Sequence, residues 1–167
     1  MAAGATYEPI ATTTLGSAAA TVEFTSISGS YTDLVLVIDT AMSSSGATVY
    51  IRVNSDSGSN YSTTTLYGNG TSALSARLSN STNGMMVGTY DGFSTERLNA
   101  ICHFMNYANT TTYKSMVNRF NQSNKSTDAN VSLWRSTSAI TTILVRNNSS
   151  QTFASGSMFT LYGIKAA

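Results

Sequence analysis

"ERLNAICHFMNYA" (residues 96–108) decides how the chain is read. Leu98, Ala100, Cys102 and Phe104 fall on alternate positions, and Ile101, His103, Met105 and Tyr107 occupy the places between them. A period of two over so long a run is that of a β-strand, whose successive side chains point to opposite faces. The same period continues in both directions. "YTDLVLVIDTA" (31–41) is apolar on both faces from Leu34 to Ile38, as a strand covered on both sides would be. "ATVYIRVNS" (47–55) sets Val49, Ile51 and Val53 against Tyr50, Arg52 and Asn54. "SALSARLS" (72–79) sets Leu74, Ala76 and Leu78 against Ala73, Ser75 and Arg77. "TTYKSMVNRFNQ" (111–122) sets Tyr113, Ser115, Val117 and Arg119 against Lys114, Met116, Asn118 and Phe120. "ATVEFTSI" (20–27), "GMMVGTY" (84–90), "ANVSLWRS" (129–136), "AITTILVRN" (139–147) and "SMFTLYGIK" (157–165) complete the series.

These make about nine or ten predicted strands, rich in β-branched and aromatic residues. Between them lie "SSSG", "SDSGSN", "GNGTS", "NSTNG", "NQSNKSTDAN" and "NNSSQ". These are turn sequences, because Gly and Asn tolerate positive φ and Ser and Asp bond the local backbone. No segment holds a helical period for three turns, and no break in composition marks a second domain. The expected fold is all-β, a jelly-roll-like antiparallel β-sandwich over residues 17–167. Residues 1–16 are weakly patterned and are expected to form an extended N-terminal arm that rests on a neighbouring subunit.

Composition narrows the function. Charged residues are 10% of the 167, against about 25% in an ordinary soluble domain. Ser and Thr supply close to a third of the chain, so hydroxyls and amides must cover the surface. A net charge of +1 gives no field to draw in nucleic acid or an anionic membrane. No apolar run approaches the ~18 residues of a membrane span. The single cysteine, Cys102, excludes an internal disulfide and a cysteine-rich metal site. "MAAGATYEPIATTTLGSAAA" (1–20) lacks the basic start and continuous apolar centre of a secretory signal, so assembly in a cytoplasm is expected. The triplets at Asn60 and Asn109 are accordingly read as unglycosylated.

The stretch most like chemistry is "RVNSDSGSNYS" (52–62), where Asn54, Asp56, Gly58 and Asn60 alternate like the ligands of a calcium loop. An EF-hand loop places Gly sixth and a bidentate Glu twelfth. Counted from Asn54, those places hold Ser59 and Thr65. A looser calcium turn competes with a Gly-assisted hairpin turn whose Asn and Asp side chains bond its own amides, and the hairpin turn is the expectation. His103, the only histidine, neighbours Cys102 in a predicted strand, and adjacent strand residues point apart, so the two do not form a nucleophilic pair. No G-x-S-x-G elbow is present. The carboxylates Glu8, Glu23, Asp33, Asp39, Asp56, Asp91, Glu96 and Asp128 show no spacing that pairs them for glycoside hydrolysis. "YGNGTS" (67–72) lacks the Lys and following helix of a phosphate loop. No catalytic, cofactor-binding or metal residue is assigned, and an enzyme is not expected. The tyrosines and Trp134 offer rings for a sugar-stacking platform or for packing within and between subunits.

Three phrases read together carry a family likeness: "IRVNSDSGSNYS" (51–62), "MNYANTTTYKSM" (105–116) and "TFASGSMFTLYGIK" (152–165). From about Tyr31 onward the chain resembles small structural proteins encoded by tailed bacteriophages of marine and freshwater bacteria. In that group a strand ends in Asn-x-Asp-x-Gly-x-Asn-Tyr, a later segment carries Tyr-Ala-Asn followed by Lys, and the chain closes with Gly-Ser-x-Phe-x-Leu-Tyr-Gly-Ile. The resemblance implies a non-enzymatic virion component: a capsid decoration or cement protein, or a subunit of a fibre or tail appendage. By analogy with phage jelly-roll appendages it implies a homotrimer that contacts other virion proteins of the capsid or tail. Its place would be the virion surface, after assembly in the host cytoplasm. The alternative is a receptor-recognition module that binds host surface polysaccharide through exposed tyrosines, and a weaker third reading is a polysaccharide depolymerase.

Overall fold

The computed structural model describes residues 6–88, 93–122, 124–148 and 150–165. Among them there is no helix, and twelve antiparallel strands form the two sheets of a β-sandwich. The larger sheet has eight strands, in spatial order β1 (Tyr7–Thr14), β12 (Met158–Ile164), β3 (Asp33–Thr40), β8 (Leu98–Met105), β9 (Lys114–Gln122), β10 (Ser126–Trp134), β5 (Tyr61–Gly68) and β6 (Ala73–Ser81). The smaller sheet has β2 (Thr21–Phe24), β11 (Ile143–Asn147), β4 (Val49–Val53) and β7 (Met85–Met86).

Alternation puts one row of most strands between the sheets. Leu34, Leu36 and Ile38 of β3, Leu98 to Phe104 on alternate places of β8, and Phe159 and Leu161 of β12 face Val22, Phe24, Val49, Ile51, Val53, Ile143 and Val145. Each such aliphatic or aromatic side chain contributes about 1.5–3 kcal/mol by leaving water. β3 is buried on both faces at its centre: Leu34, Leu36 and Ile38 are buried on the core side and Val35 is buried on the other.

Four expectations change. The segment 1–16 does not project as an arm over its described part, because Tyr7–Thr14 is an edge strand paired with β12 of the same chain. "IATTT" has little apolar alternation, but Thr suits a strand, and Ile10 and Leu15 pack against the core. "NQSNKSTDAN" is mostly not a turn: β9 runs to Gln122 and β10 starts at Ser126, in register from Ser126↔Gln122. Tyr107 does not share a face with Ile101 and His103. β8 ends at Met105, Asn106 takes φ 50°, and the turn swings the Tyr107 ring into the core, where its hydroxyl donates to the Ser28 carbonyl. Finally, the stretch 54–60 is not a hairpin turn. β4 belongs to the smaller sheet and β5 to the larger, so this segment crosses between layers.

Candidate functional site

The crossing segment is built by side chains bonding backbone. Asn54 and Ser55 take φ 49° and 56°, which Asn tolerates better than most residues. Asn54 Nδ2 donates to the Ala139 carbonyl (2.7 Å), and its Oδ1 accepts from the Thr141 and Thr142 N–H groups (2.8 and 3.2 Å). Asp56 accepts three N–H donors: Trp134 Nε1 (2.6 Å), Gly58 N (2.8 Å) and Asn60 Nδ2 (2.9 Å). Burial pulls the Asp56 carboxyl up, but these donors and the Arg52 charge outweigh it and hold the group below its ordinary range. The Tyr61 hydroxyl donates to the Asp56 and Val53 carbonyls (3.0 and 3.3 Å). Arg135 adds Ser62 Oγ (2.6 Å) and Asn80 Oδ1 (2.9 Å). The calcium-like spacing thus serves a clasp: the Asp56 oxygens face N–H groups, which repel a cation. Among the described residues no three His, Cys, Asp or Glu side chains come together.

The other candidates are also placed. Cys102 is buried, and burial pushes its thiol up, away from the reactive thiolate. His103 points to the opposite face, with Nε2 2.8 Å from Asp33 Oδ2, while Asp33 Oδ1 accepts the Asn106 N–H at 2.7 Å. That arrangement fastens the β8–β9 turn. Trp134 is 3% exposed and is therefore core, not a sugar platform. Lys114 is buried with Nζ on the Thr112 and Thr137 carbonyls (2.7 and 3.1 Å), and desolvation lowers its pKa. Asp91 lies outside the described residues.

Sequence reasoning missed a polar strip inside the sandwich. Asn118, Asn130 and Thr65 are neighbours in register under β9, β10 and β5, and Gln122 and Ser126 form a second such pair toward the strand ends. All are buried. Both Asn amides donate to the Val87 carbonyl (2.5 and 2.9 Å), and Gln122 Nε2 donates to Ser94 Oγ and Glu96 O. The Asn118, Asn130 and Gln122 side-chain oxygens and the Thr65 and Ser126 hydroxyls meet no partner among the described residues. Buried oxygens of this kind draw their donors from ordered water. A polar groove of about 330 Å³, lined in part by Gln122, Ser126 and Lys125, opens at that end.

The outer face of the larger sheet is the reverse. Two largely apolar grooves of about 580 and 490 Å³ meet at Arg119 and Thr127. Leu66, Tyr67 and Ala129 line the first; Val37, Ile101, Asn99 and Asn121 line the second. Across neighbouring strands Leu66 (62% exposed), Val131 (57%) and Val117 (42%) stand free. Nothing in alternation alone distinguishes this apolar outer row from a core row, so the sequence could not say which face is covered.

No protein-family model matches this chain, and none of the curated proteins matches it either. What the molecule itself defines is a class: an all-β, two-sheet antiparallel sandwich with an apolar outer face on its larger sheet.

Proposed function

We propose that this protein is a non-enzymatic structural subunit of a tailed-phage virion, a jelly-roll-like sandwich that assembles as a homotrimer on the particle surface. It would serve as a capsid decoration or cement protein or as part of a fibre or tail appendage. The observation that carries the reading is the exposed apolar group on the outer face of the larger sheet, where Val117 lies directly opposite Val131 and Leu66 lies diagonally across from Val131 on β5. Such a surface suits burial against another protein. The resemblance of 51–62, 105–116 and 152–165 supplies the virion setting. In support, those motif residues have structural work here: Asp56 and Asn60 clasp the layer crossing, and Lys114 holds two loop carbonyls. The test is the copy number per purified virion by quantitative mass spectrometry against the major capsid protein. Hundreds of copies place it on the capsid, a few to a few dozen place it on the tail or fibre, and absence from clean particles overturns the reading.

A second reading draws on the grooves at Arg119. Asn99, Asn121 and the guanidinium offer the amide and cation contacts of a polysaccharide site. Titration with host surface polysaccharide tests it. Saturable binding lost in Arg119→Ala and Asn121→Ala favours a receptor-recognition module, and no binding removes it.

A further inference from the structure

The two edges of the larger sheet differ. An open edge strand is a template for another chain, and proteins usually block it with proline, bulges or charge. At β1 all three are present: Pro9 has no N–H, the register with β12 shifts between Pro9 and Ala11, and Glu8 pairs with Lys165 at 2.8 Å. At the other edge β6 has no proline and a single charge, Arg77, and its one register shift is confined to the end between Leu78 and Ser81. It runs in unbroken register with β5 from Thr63↔Leu78 to Gly68↔Ala73. It is exposed on both faces over most of its length, and β5 is the one strand with which it makes extended contact.

We propose that β6 pairs with β6 of a second copy of this chain, antiparallel and about a two-fold axis at Ala76, joining two eight-stranded sheets edge to edge. The occupant follows from the sequence Leu74-Ser75-Ala76-Arg77-Leu78, whose apolar pattern is the same in both directions. Centred on Ala76, an antiparallel pair sets Leu74 opposite the partner's Leu78 and Ser75 opposite the partner's Arg77. Both Leu pairs then lie on one face, where cross-strand contacts stabilise a sheet. A centre at Arg77 would oppose like charges, and a centre at Ser75 would set Leu74 against the partner's Ala76 and lose both Leu pairs. A two-fold contact needs this kind of self-complementarity. One strand pair buries less than the ~800 Å² per partner of a standard interface, so the contact gains its strength where copies are held side by side. Here the inference rests on the proposed virion reading, in which the pair links copies of neighbouring trimers.

Ala76→Cys tests it. Directly opposed residues of an antiparallel pair have Cα atoms about 4.5–5.5 Å apart, within disulfide reach. Ala76 is exposed and the native Cys102 is buried, so the only available thiol is the new one. Mild oxidation of concentrated protein should give a covalent dimer on a non-reducing gel. Ala73→Cys, on the same strand, should not, because its copies lie about 20 Å apart in this register. Reduced samples of both should keep the wild-type circular dichroism. No dimer from Ala76→Cys, or equal yields from both variants, overturns the pairing. The two readings fail separately: a chain missing from virions that still crosslinks at Ala76 sinks the virion reading alone, and an abundant virion protein that does not crosslink sinks the pairing alone.

Discussion

Replacing Asp56 by Ala removes the acceptor on which the layer crossing converges. Trp134 is buried, so its Nε1–H loses its 2.6 Å partner and meets a desolvation cost of about 1–3 kcal/mol. Gly58 N and Asn60 Nδ2 are nearer solvent and rehydrate, adding about 0.5 kcal/mol each. The sum, about 2–4 kcal/mol, is a large part of the ~5–15 kcal/mol that holds a domain together. The assay is urea unfolding followed by Trp134 fluorescence, in which a mid-range urea slope of about 2 kcal/mol/M turns this loss into a midpoint lower by about 1–2 M. Acid adds a second check. Because the folded carboxyl lies below its ordinary range, its contribution is fully present above the unfolded value of about 3.9 and is lost as pH falls through the folded value. Wild type should therefore lose more stability on acidification than Asp56→Ala. An unfolding free energy within about 0.5 kcal/mol of wild type, or an equal acid loss in both proteins, refutes the clasp. Calcium settles the competing reading: a rise in wild-type melting temperature that disappears in Asp56→Ala would make the carboxylate a cation ligand after all.

Leu36→Asp puts a charge between the layers at a fully buried site, a cost of several kcal/mol, so insoluble protein is expected and a soluble, cooperatively melting variant contradicts the core assignment. A Cβ at Gly163 would strike the Tyr31 ring; Gly163→Ala should lose about 1–3 kcal/mol in thermal melts, and an equal loss in a Tyr31→Ala background would show that the ring is not the cause. Burial, with the Asp56 charge helping and the Val53 hydrogen bond opposing, pushes the Tyr61 hydroxyl up to about 12. Its contribution is complete below the unfolded value of about 10 and is lost as pH rises through the folded one, so Tyr61→Phe should flatten the alkaline loss of stability, and an unchanged alkaline profile counts against it.

The strands were legible wherever one row was apolar and the other was not. Leu98, Ala100, Cys102 and Phe104 lie on the core side as alternation requires. Legibility failed where polar residues do the work of a core. Ser126, Asp128 and Asn130 look like a turn by composition, yet all three are buried under β10, because a strand is fixed by its neighbours' hydrogen bonds as much as by its own propensity. The crossing at 54–60 was misread for a related reason. Turn chemistry announces that the chain bends, and nothing in Asn-x-Asp-x-Gly tells whether the next strand joins the same sheet or the other one. The clasp itself was half visible: Asp56 bonding Gly58 follows from local spacing, while its bond to Trp134, 78 residues away, does not.

One wing of the larger sheet bears the apolar outer surface on which the proposed assembly rests. The smaller sheet is four strands wide and the larger is eight. At about 4.8 Å per strand the smaller sheet reaches across only about half of the larger. β3 and β8 carry an apolar inner row, and β7 of the smaller sheet packs over β10 and β5. β9, β10 and β5 turn Asn118, Asn130 and Thr65 inward and carry Val117, Val131 and Leu66 outward. β6, beyond them, is largely uncovered on either face. The inner face thus changes along one continuous sheet: it is apolar under β3 and β8 and mixes Asn118, Asn130 and Thr65 with buried Met116, Phe120, Trp134 and Tyr61 under β9, β10 and β5, while Val117, Val131 and Leu66 stand exposed outside. A monomer leaves that outer row in water at about 25 cal/mol for each Å². Covering it with protein removes that cost without disturbing the clasp at Asp56 or the deep core at Leu36, since neither reaches the outer face.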